Sequence, residues 1–199
     1  MGRNIGIMGG TFDPIHYGHL AIAETARHQL DLEQVIFVPT ARPPHKRRQT
    51  ENDGERRAFM TGLAIAGNPR FALSRIELER GGYSYSVDTV AAFREQLGPE
   101  ARLWFITGAD MILSVQTWVR AEELRQLCYF AAAPRPGFDL GLLKRLPAAW
   151  QERIQVLEAP LLDISGSLIR QRVAQGRPIR YLLPENVEKV VELIADEIE

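Results

Sequence analysis

Short apolar runs alternate along the chain with longer segments in which apolar residues recur at helical spacing. Apolar runs of four or five residues are typical of strands buried on both faces, and intervening helices let such strands lie parallel. The pattern predicts an α/β fold, a doubly wound parallel sheet of about five to six strands with helices on both faces. The predicted strands are Ile5–Met8, Val35–Val38, Phe71–Ser74, Leu103–Thr107, Tyr129–Ala133 and Ile154–Leu157. The predicted helices are Tyr17–Leu30, Arg56–Ala66, Ser86–Leu97, Ala121–Leu127, Ser167–Ala174 and Glu185–Ile198.

The size and charge of the chain exclude several classes of protein. Its 199 residues, 45% hydrophobic and 25% charged, are enough for one globular domain, residues 1–199, with a sizeable core. A formal net charge of −1 supplies no overall basic field, so we expect no nucleic-acid partner. The sequence shows neither a membrane-spanning apolar run nor a signal peptide, so we expect a cytoplasmic protein with no membrane partner. The single cysteine, Cys128, is predicted to be a buried apolar residue.

The stretch GGTFDPIHYGHL, residues 9–20, follows the first predicted strand and leads into the first predicted helix. In a doubly wound sheet this position binds phosphate, because backbone N–H groups of the turn and the helix start point at the ligand. Gly9 and Gly10 let an anion approach the backbone closely. His16 and His19 add side-chain donors to the same volume, and Gly18 has no side chain that would block access. The stretch therefore predicts a phosphate-binding turn.

The two histidines of this turn have other interpretations. Their spacing could place two metal ligands together, but the remaining candidates, His28, His45 and Cys128, form no compact set with them. We therefore predict no protein metal site. Either histidine could also be a structural residue or a helix cap, although the glycine-rich turn beside a strand end favours the phosphate-site interpretation.

Two further stretches could bind anions. In DISGSLIRQRV, residues 163–173, Ser165, Ser167 and Arg170 could bring hydroxyls, free backbone N–H groups and a guanidinium onto one polyanion. The alternative is a capped helix with surface arginines. This stretch belongs to a C-terminal helical portion of the domain, about residues 160–199. In the basic loop TARPPHKRRQTENDGE, residues 40–55, Lys46 could either contact phosphate or lie on a solvated surface. Two anion sites in a small domain suggest a substrate with several phosphates.

These stretches resemble the two signatures of the nucleotidyltransferases related to class I aminoacyl-tRNA synthetases. GGTFDPIHYGHL is similar to the first signature over its whole length, and ISGSLIR resembles the second, often written ISxTxIR. PPHK, SYSVDT, GAD with a nearby TW, RPG and YLLP occur in the same order in the bacterial nicotinate mononucleotide adenylyltransferases. The resemblance implies a Rossmann-like fold and transfer of the AMP part of ATP to nicotinate mononucleotide. The products would be deamido-NAD and pyrophosphate, in NAD biosynthesis.

The resemblance also implies partners and site residues for this chain. The partners would be nicotinate mononucleotide and ATP, the latter bound with Mg²⁺. The catalytic residues would be His16, His19, Lys46 and Arg170, which would contact the phosphates. The ATP-binding residues would be Gly9, Gly10, Thr11, Arg135, Gly137, Ser165 and Ser167. The nicotinate mononucleotide-binding residues would be Tyr85, Ser86, Gly108, Asp110 and Trp118.

Several alternatives stay open at this point. A sister transferase acting on nicotinamide mononucleotide or phosphopantetheine would use the same phosphate-binding residues, and a regulatory module would bind ATP without releasing pyrophosphate. Gly166 and Val119 depart from the family pattern, which predicts a looser helix entrance and one aromatic contact fewer. The apolar face of NVEKVVELIADEI could dock on its own sheet or on a second copy in a homo-oligomer.

Overall fold

The computed structural model describes residues 2–42 and 51–194. These residues form a parallel sheet of six strands: β1 Asn4–Gly10, β2 Gln34–Pro39, β3 Phe71–Leu73, β4 Arg102–Gly108, β5 Tyr129–Ala133 and β6 Ile154–Val156. The order of the strands across the sheet is β3-β2-β1-β4-β5-β6. The chain adds strands on one side of β1 and then returns to add β4 on the other side, which is the doubly wound arrangement. The predicted α/β class and number of strands are confirmed.

Helices connect the strands and cover the sheet. All six predicted helices are present, but the second begins at Glu51 rather than Arg56, and the last extends only to Leu193 within the described residues. Three short helices, Ile76–Arg80, Ala109–Leu113 and Ala148–Gln151, were not predicted. The helices are α1 Tyr17–Gln29, α2 Glu51–Ile65, α3 Ile76–Arg80, α4 Ser86–Leu97, α5 Ala109–Leu113, α6 Ala121–Leu127, α7 Ala148–Gln151, α8 Gly166–Ala174 and α9 Glu185–Leu193.

Alternate strand residues enter two cores, one on each face of the sheet. Along β2, Ile36 and Val38 pack into the core that contains α4 and α6 side chains. Val35 and Phe37 pack into the opposite core, which contains side chains of α1, α2, α8 and α9. The prediction of helices on both faces is confirmed. The apolar face of α9 docks on its own chain, since Val187 lies in this second core.

Cys128 immediately precedes β5 and is 1% exposed. Burial raises the pKa of its thiol to about 12, so the side chain is a neutral, apolar part of the core, as predicted. None of the helices that the described residues form is long and apolar enough to cross a membrane.

Candidate active site

Two adjacent clefts open at the carboxyl ends of β1 and β4. Strand order reverses here, and doubly wound sheets bind ligands at such a switch point. The first cleft has a volume of about 600 Å³ and the second of about 410 Å³. Gly9, Gly10 and Thr11 line both clefts. Two ligands, one in each cleft, would therefore meet over the end of β1.

The predicted site residues divide between the two clefts. Gly108 lies in the first cleft and not in the second, while Asp110 and Gly137 line neither. Lys46 lies outside the described residues. The predicted residues that line the first cleft are Gly9, Gly10, Thr11, His16, His19, Gly108, Arg135, Ser165, Ser167 and Arg170. Those that line the second are Gly9, Gly10, Thr11, Tyr85, Ser86 and Trp118.

The glycines at the end of β1 are still part of the strand, paired with Val38 and Pro39 of β2. The sequence predicted them as the start of the turn. A Cβ on Gly10 would lie 2.9 Å from the ring of Phe12, a buried residue with a positive φ of 50°. The turn therefore needs glycine at position 10, because the Phe12 ring folds back against the strand end.

His16 and His19 form one stacked pair at the start of α1. Their ring centroids lie 3.8 Å apart, and His19 Nδ1 accepts a hydrogen bond from the backbone N–H of His16 at 3.3 Å. Because Nδ1 is the acceptor, a neutral His19 carries its proton on Nε2 and is a hydrogen-bond donor there. A Cβ on Gly18 would lie 3.0 Å from His16 Nδ1, so Gly18 makes room for the His16 ring.

Both histidines are neutral at pH 7. Burial and the charge of Arg135 lower the pKa of His16 from 6.5 to about 4. Burial also lowers the pKa of His19 well below its usual value, with further contributions from His16 and Arg135. The pair can therefore donate hydrogen bonds, but neither ring carries a positive charge in the free protein.

Arg170 joins the second anion-binding stretch to the first. Its Nη1 donates hydrogen bonds to the backbone carbonyl of Asp13 and, at 3.3 Å, to the Asp13 carboxylate. Its Nη2 donates to Ser167 Oγ at 3.3 Å. Ser165 caps α8, since its Oγ accepts a hydrogen bond from Leu168 N at 3.1 Å. The first turn of α8 and the phosphate-binding turn therefore form two walls of one cleft.

Gly166 is required where these walls meet. A Cβ at this position would lie 2.6 Å from the backbone oxygen of Asp13. The sequence suggested that Gly166 loosens the helix entrance, but in the structure the glycine permits a close contact between α8 and the Asp13 backbone.

Arg135 lies in the first cleft and pairs with Asp110, with 3.3 Å between Nε and Oδ1. A Cβ on Gly108 would lie 2.3 Å from this carboxylate oxygen and 2.9 Å from Arg135 Nε. Gly108 thus makes room for the pair. Gly137, with a φ of 77°, shapes the loop that follows Arg135.

The second cleft is bounded by the start of α4 and by Trp118. Tyr85 precedes α4 and Ser86 is its first residue, so free backbone N–H groups lie at this end of the cleft. The rings of Trp118 and Phe105 pack edge to face, with centroids 6.0 Å apart and an interplanar angle of 80°. Trp118 both packs against the core and lines the cleft, so the two interpretations of this residue are compatible.

Comparisons with known proteins agree with this arrangement. The cytidylyltransferase-like family matches residues 7–172 of the chain. The "Probable nicotinate-nucleotide adenylyltransferase" of Moorella thermoacetica is 53% identical over 94% of this chain and 88% of its own. The chain belongs to the nicotinate-nucleotide adenylyltransferase family. Members with the same name from Thermoanaerobacter sp. and Desulfitobacterium hafniense are each 47% identical over more than nine-tenths of both chains.

Solved structures of the family have the same fold. The nicotinic acid mononucleotide adenylyltransferase of Plasmodium falciparum, complexed with NaAD, aligns with a TM-score of 0.78 at 21% identity and covers 99% of this chain and 98% of its own. The same Plasmodium protein complexed with APC aligns with a TM-score of 0.76. The predicted fold and family are confirmed.

The sequence did not reveal two buried charged residues beside the second cleft, Arg57 and Glu77. Arg57 is 1% exposed and donates hydrogen bonds to the carbonyls of Thr11 and Thr40, both at 2.7 Å. Glu77 is 4% exposed and, like Thr40, lines the second cleft. Arg57 and Thr61 are four residues apart on α2, so they lie on the same face of that helix, and both are buried. This spacing was the available signal for a buried Arg57, and a charged residue on a buried helix face needs a partner.

Within residues 2–42 and 51–194, no group of three or more histidine, cysteine or acidic side chains is placed to hold a metal ion. In the first cleft, the carboxylate of Asp13 lies against Arg170. Mg²⁺ commonly binds through one or two carboxylates together with substrate phosphates. The cleft is therefore compatible with Mg²⁺ carried on the phosphates of ATP.

Proposed function

We propose that the protein joins nicotinate mononucleotide to the AMP part of ATP, giving deamido-NAD and pyrophosphate. The observation that carries this proposal is the meeting of two clefts over Gly9–Thr11. One cleft has the donors and guanidinium groups that suit a polyphosphate, and the other has an aromatic face and a helix start. The names of the close relatives support the choice of substrates.

In the proposed reaction, a phosphate oxygen of nicotinate mononucleotide attacks the α phosphorus of ATP. The new P–O bond forms as the bond between the α phosphorus and the bridging oxygen to the β phosphorus breaks, and pyrophosphate leaves with that electron pair. A phosphate monoester has a second pKa of about 6, so the nucleophile is already largely a dianion at neutral pH and needs no general base. Catalysis then requires in-line placement and stabilisation of the charge on the transferred group.

The first cleft supplies this stabilisation through hydrogen-bond donors. Neutral His19 would donate from Nε2, and Arg170 would contribute a guanidinium from the opposite wall. The depressed pKa values of His16 and His19 suit donors better than proton acceptors. Mg²⁺ bound to ATP would neutralise part of the phosphate charge.

The second cleft would select the acceptor. The N–H groups at the start of α4, near Tyr85 and Ser86, would meet the nicotinate carboxylate, and the helix dipole favours a negative group there. Trp118 would offer its ring for stacking on the pyridine. The roles proposed for Gly108 and Asp110 shift toward the first cleft, because Gly108 lines it and Asp110 pairs with Arg135, which also lines it.

The test is pyrophosphate release from ATP and Mg²⁺ with nicotinate mononucleotide, nicotinamide mononucleotide, phosphopantetheine or no acceptor. We expect release with nicotinate mononucleotide and at least tenfold slower release with nicotinamide mononucleotide, because only the former carries a carboxylate. Equal release with both pyridine nucleotides would overturn the proposed selectivity but would still support the proposed AMP-transfer reaction. ATP binding without release for any acceptor would instead favour a regulatory nucleotide-binding module.

A further inference from the structure

Glu77 is a buried carboxylate that the proposed chemistry does not use. It lies on the short helix α3, is 4% exposed, and lines the second cleft next to the start of α4. Burial raises the pKa of this carboxyl group, so its charged form is penalised by the fold. A side chain with this cost needs an explanation in the groups that it contacts.

The first contact is to α4. Thr89 Oγ1 donates a hydrogen bond to Glu77 Oε1 at 2.5 Å. Arg80 Nη2 donates in turn to Thr89 Oγ1 at 3.2 Å. The Thr89 hydroxyl therefore accepts a hydrogen bond from the Arg80 guanidinium and donates one to the carboxylate. This hydrogen bond links Glu77 to the first turns of α4.

The second contact is to the segment that leads into α4. The Ser84 hydroxyl and the Ala41 backbone N–H lie close enough to Glu77 to oppose the rise in its pKa. Ser84 Oγ also accepts a hydrogen bond from Ala41 N at 2.9 Å, and Ser84 N donates to Arg42 O at 3.0 Å. Glu77 thus lies where the end of β2, the turn before α4 and α4 itself meet.

The second carboxylate oxygen distinguishes Glu77 from a fully paired core residue. Glu77 Oε2 is buried, yet no residue within 2–42 and 51–194 gives it a hydrogen bond of ordinary geometry. Such an oxygen costs stability at neutral pH, since ionised carboxylates accept several hydrogen bonds when solvated. The carboxylate is therefore better explained by what it orders at the cleft than by a contribution to stability.

We propose that Glu77 is a positioning residue for the acceptor nucleotide, which holds Ser84 and Thr89 so that the start of α4 faces the second cleft. The inference rests on the proposed function, because the acceptor is the ligand assigned to that cleft. Glu77 lines the second cleft and not the first, where the ATP phosphates would bind. Its loss should therefore weaken acceptor binding while leaving ATP binding unchanged.

The experiment compares Glu77→Ala, Thr89→Val and the conservative Glu77→Gln, with Glu79→Ala, an exposed acidic residue on the same helix, as the matched control. Hydrogen exchange of the Ala41 and Ser84 amides measures how stably the turn before α4 is held. Steady-state kinetics measure KM for each substrate. We expect Glu77→Ala to raise KM for nicotinate mononucleotide about tenfold or more, the typical effect of losing a hydrogen bond to a charged group. KM for ATP should stay within about twofold.

The other variants sharpen the test. Thr89→Val should raise the same KM, and adding it to Glu77→Ala should cause little further loss, because the two residues act as one unit. Glu77→Gln keeps an oxygen for Thr89 and should stay within about threefold of the wild type. Glu77→Ala should also exchange the two amides about tenfold faster, whereas Glu79→Ala should not.

Unchanged exchange in Glu77→Ala would overturn the inference, whatever the substrate is. Faster exchange with KM for both substrates raised equally, or with neither raised, would also overturn it, because Glu77 would then be only a structural residue. A wild-type protein that transfers AMP to neither pyridine nucleotide would overturn the proposed function. The exchange measurement would still decide whether Glu77 holds the turn.

Discussion

At the scale of single residues, the histidine pair shows how burial decides chemistry. His16 is 6% exposed, and both rings are neutral at pH 7 because burial and Arg135 disfavour the charged form. A charged histidine would attract phosphate more strongly in the ground state. A neutral ring with a fixed tautomer instead offers a donor whose direction is set before the ligand arrives.

Replacing His19 with alanine should lower the rate of pyrophosphate release about 10²–10³-fold, the usual effect of losing one preorganised donor. His16→Ala should also lower it. The matched control is His28→Ala, which removes an exposed histidine from the same helix. Turnover is measured at saturating substrates and the thermal midpoint by circular dichroism. Near-normal turnover in both His16 and His19 variants would contradict the phosphate-site interpretation.

Gly166→Ala should weaken the junction between α8 and the Asp13 backbone. The added Cβ would lie 2.6 Å from Asp13 O, so one of the two walls must move. We expect a loss of roughly 1–3 kcal/mol in the free energy of unfolding and a higher KM for ATP. Gly67→Ala is the control, since a Cβ there meets nothing within 4 Å. Equal stability of the two variants, measured by urea denaturation, would show that the junction adjusts without cost.

At the scale of elements, the end of β2 depends on a buried guanidinium. Arg57 of α2 donates to the carbonyls of Thr11 and Thr40, so it joins the turn after β1 to the end of β2. Burial lowers the pKa of Arg57, while Asp13, Asp53 and Glu77 partly offset this effect. Arg57 therefore links α2 to both clefts at their shared boundary.

Arg57→Met should destabilise the protein by about 2–4 kcal/mol, because the carbonyls of Thr11 and Thr40 lose the buried guanidinium that donates to both. The control is Arg75→Met, since the exposed ion pair of Arg75 with Glu55 contributes at most about 1 kcal/mol. Chemical denaturation of both variants measures the difference. A loss below about 1 kcal/mol in Arg57→Met would mean that water replaces the guanidinium at these carbonyls.

The strands and longer helices could be predicted because their apolar spacing is local. The helices α3 and α5 have five residues each, too few for helical periodicity to show. The role of Glu77 was hidden because its contacts join residues 41, 77, 84 and 89, which meet only in the fold. The pairing of Asp110 with Arg135 beside the first cleft likewise depends on where the loop after β5 places Arg135.

At the scale of the whole molecule, the buried histidines make stability depend on pH. His16 has a pKa of 6.5 in the unfolded chain and about 4 in the fold, so the unfolded state binds this proton first as pH falls. The stability that depends on neutral His16 is fully present above pH 6.5 and is lost as the pH falls from 6.5 through about 4. The loss from this group is up to about 3 kcal/mol.

The measurement is the free energy of unfolding of the wild type and His16→Asn between pH 7.5 and 4. Carboxylates with lowered pKa, such as Glu24, also cost stability in acid, but they are common to both proteins. We expect the wild type to lose more stability than the variant between pH 6.5 and 4. Parallel curves would show that His16 titrates normally in the fold.

The adjacency of the two clefts predicts how ligands stabilise the whole molecule. Deamido-NAD would place one nucleotide in each cleft and pay the entropy of association once, so it should bind more tightly than AMP or nicotinate mononucleotide. At equal, saturating concentrations it should therefore raise the thermal midpoint by several degrees more than either. Trp118→Ala should reduce the shifts caused by deamido-NAD and nicotinate mononucleotide and preserve the shift caused by AMP. A product shift no larger than that of AMP would mean that the two clefts do not hold one continuous ligand.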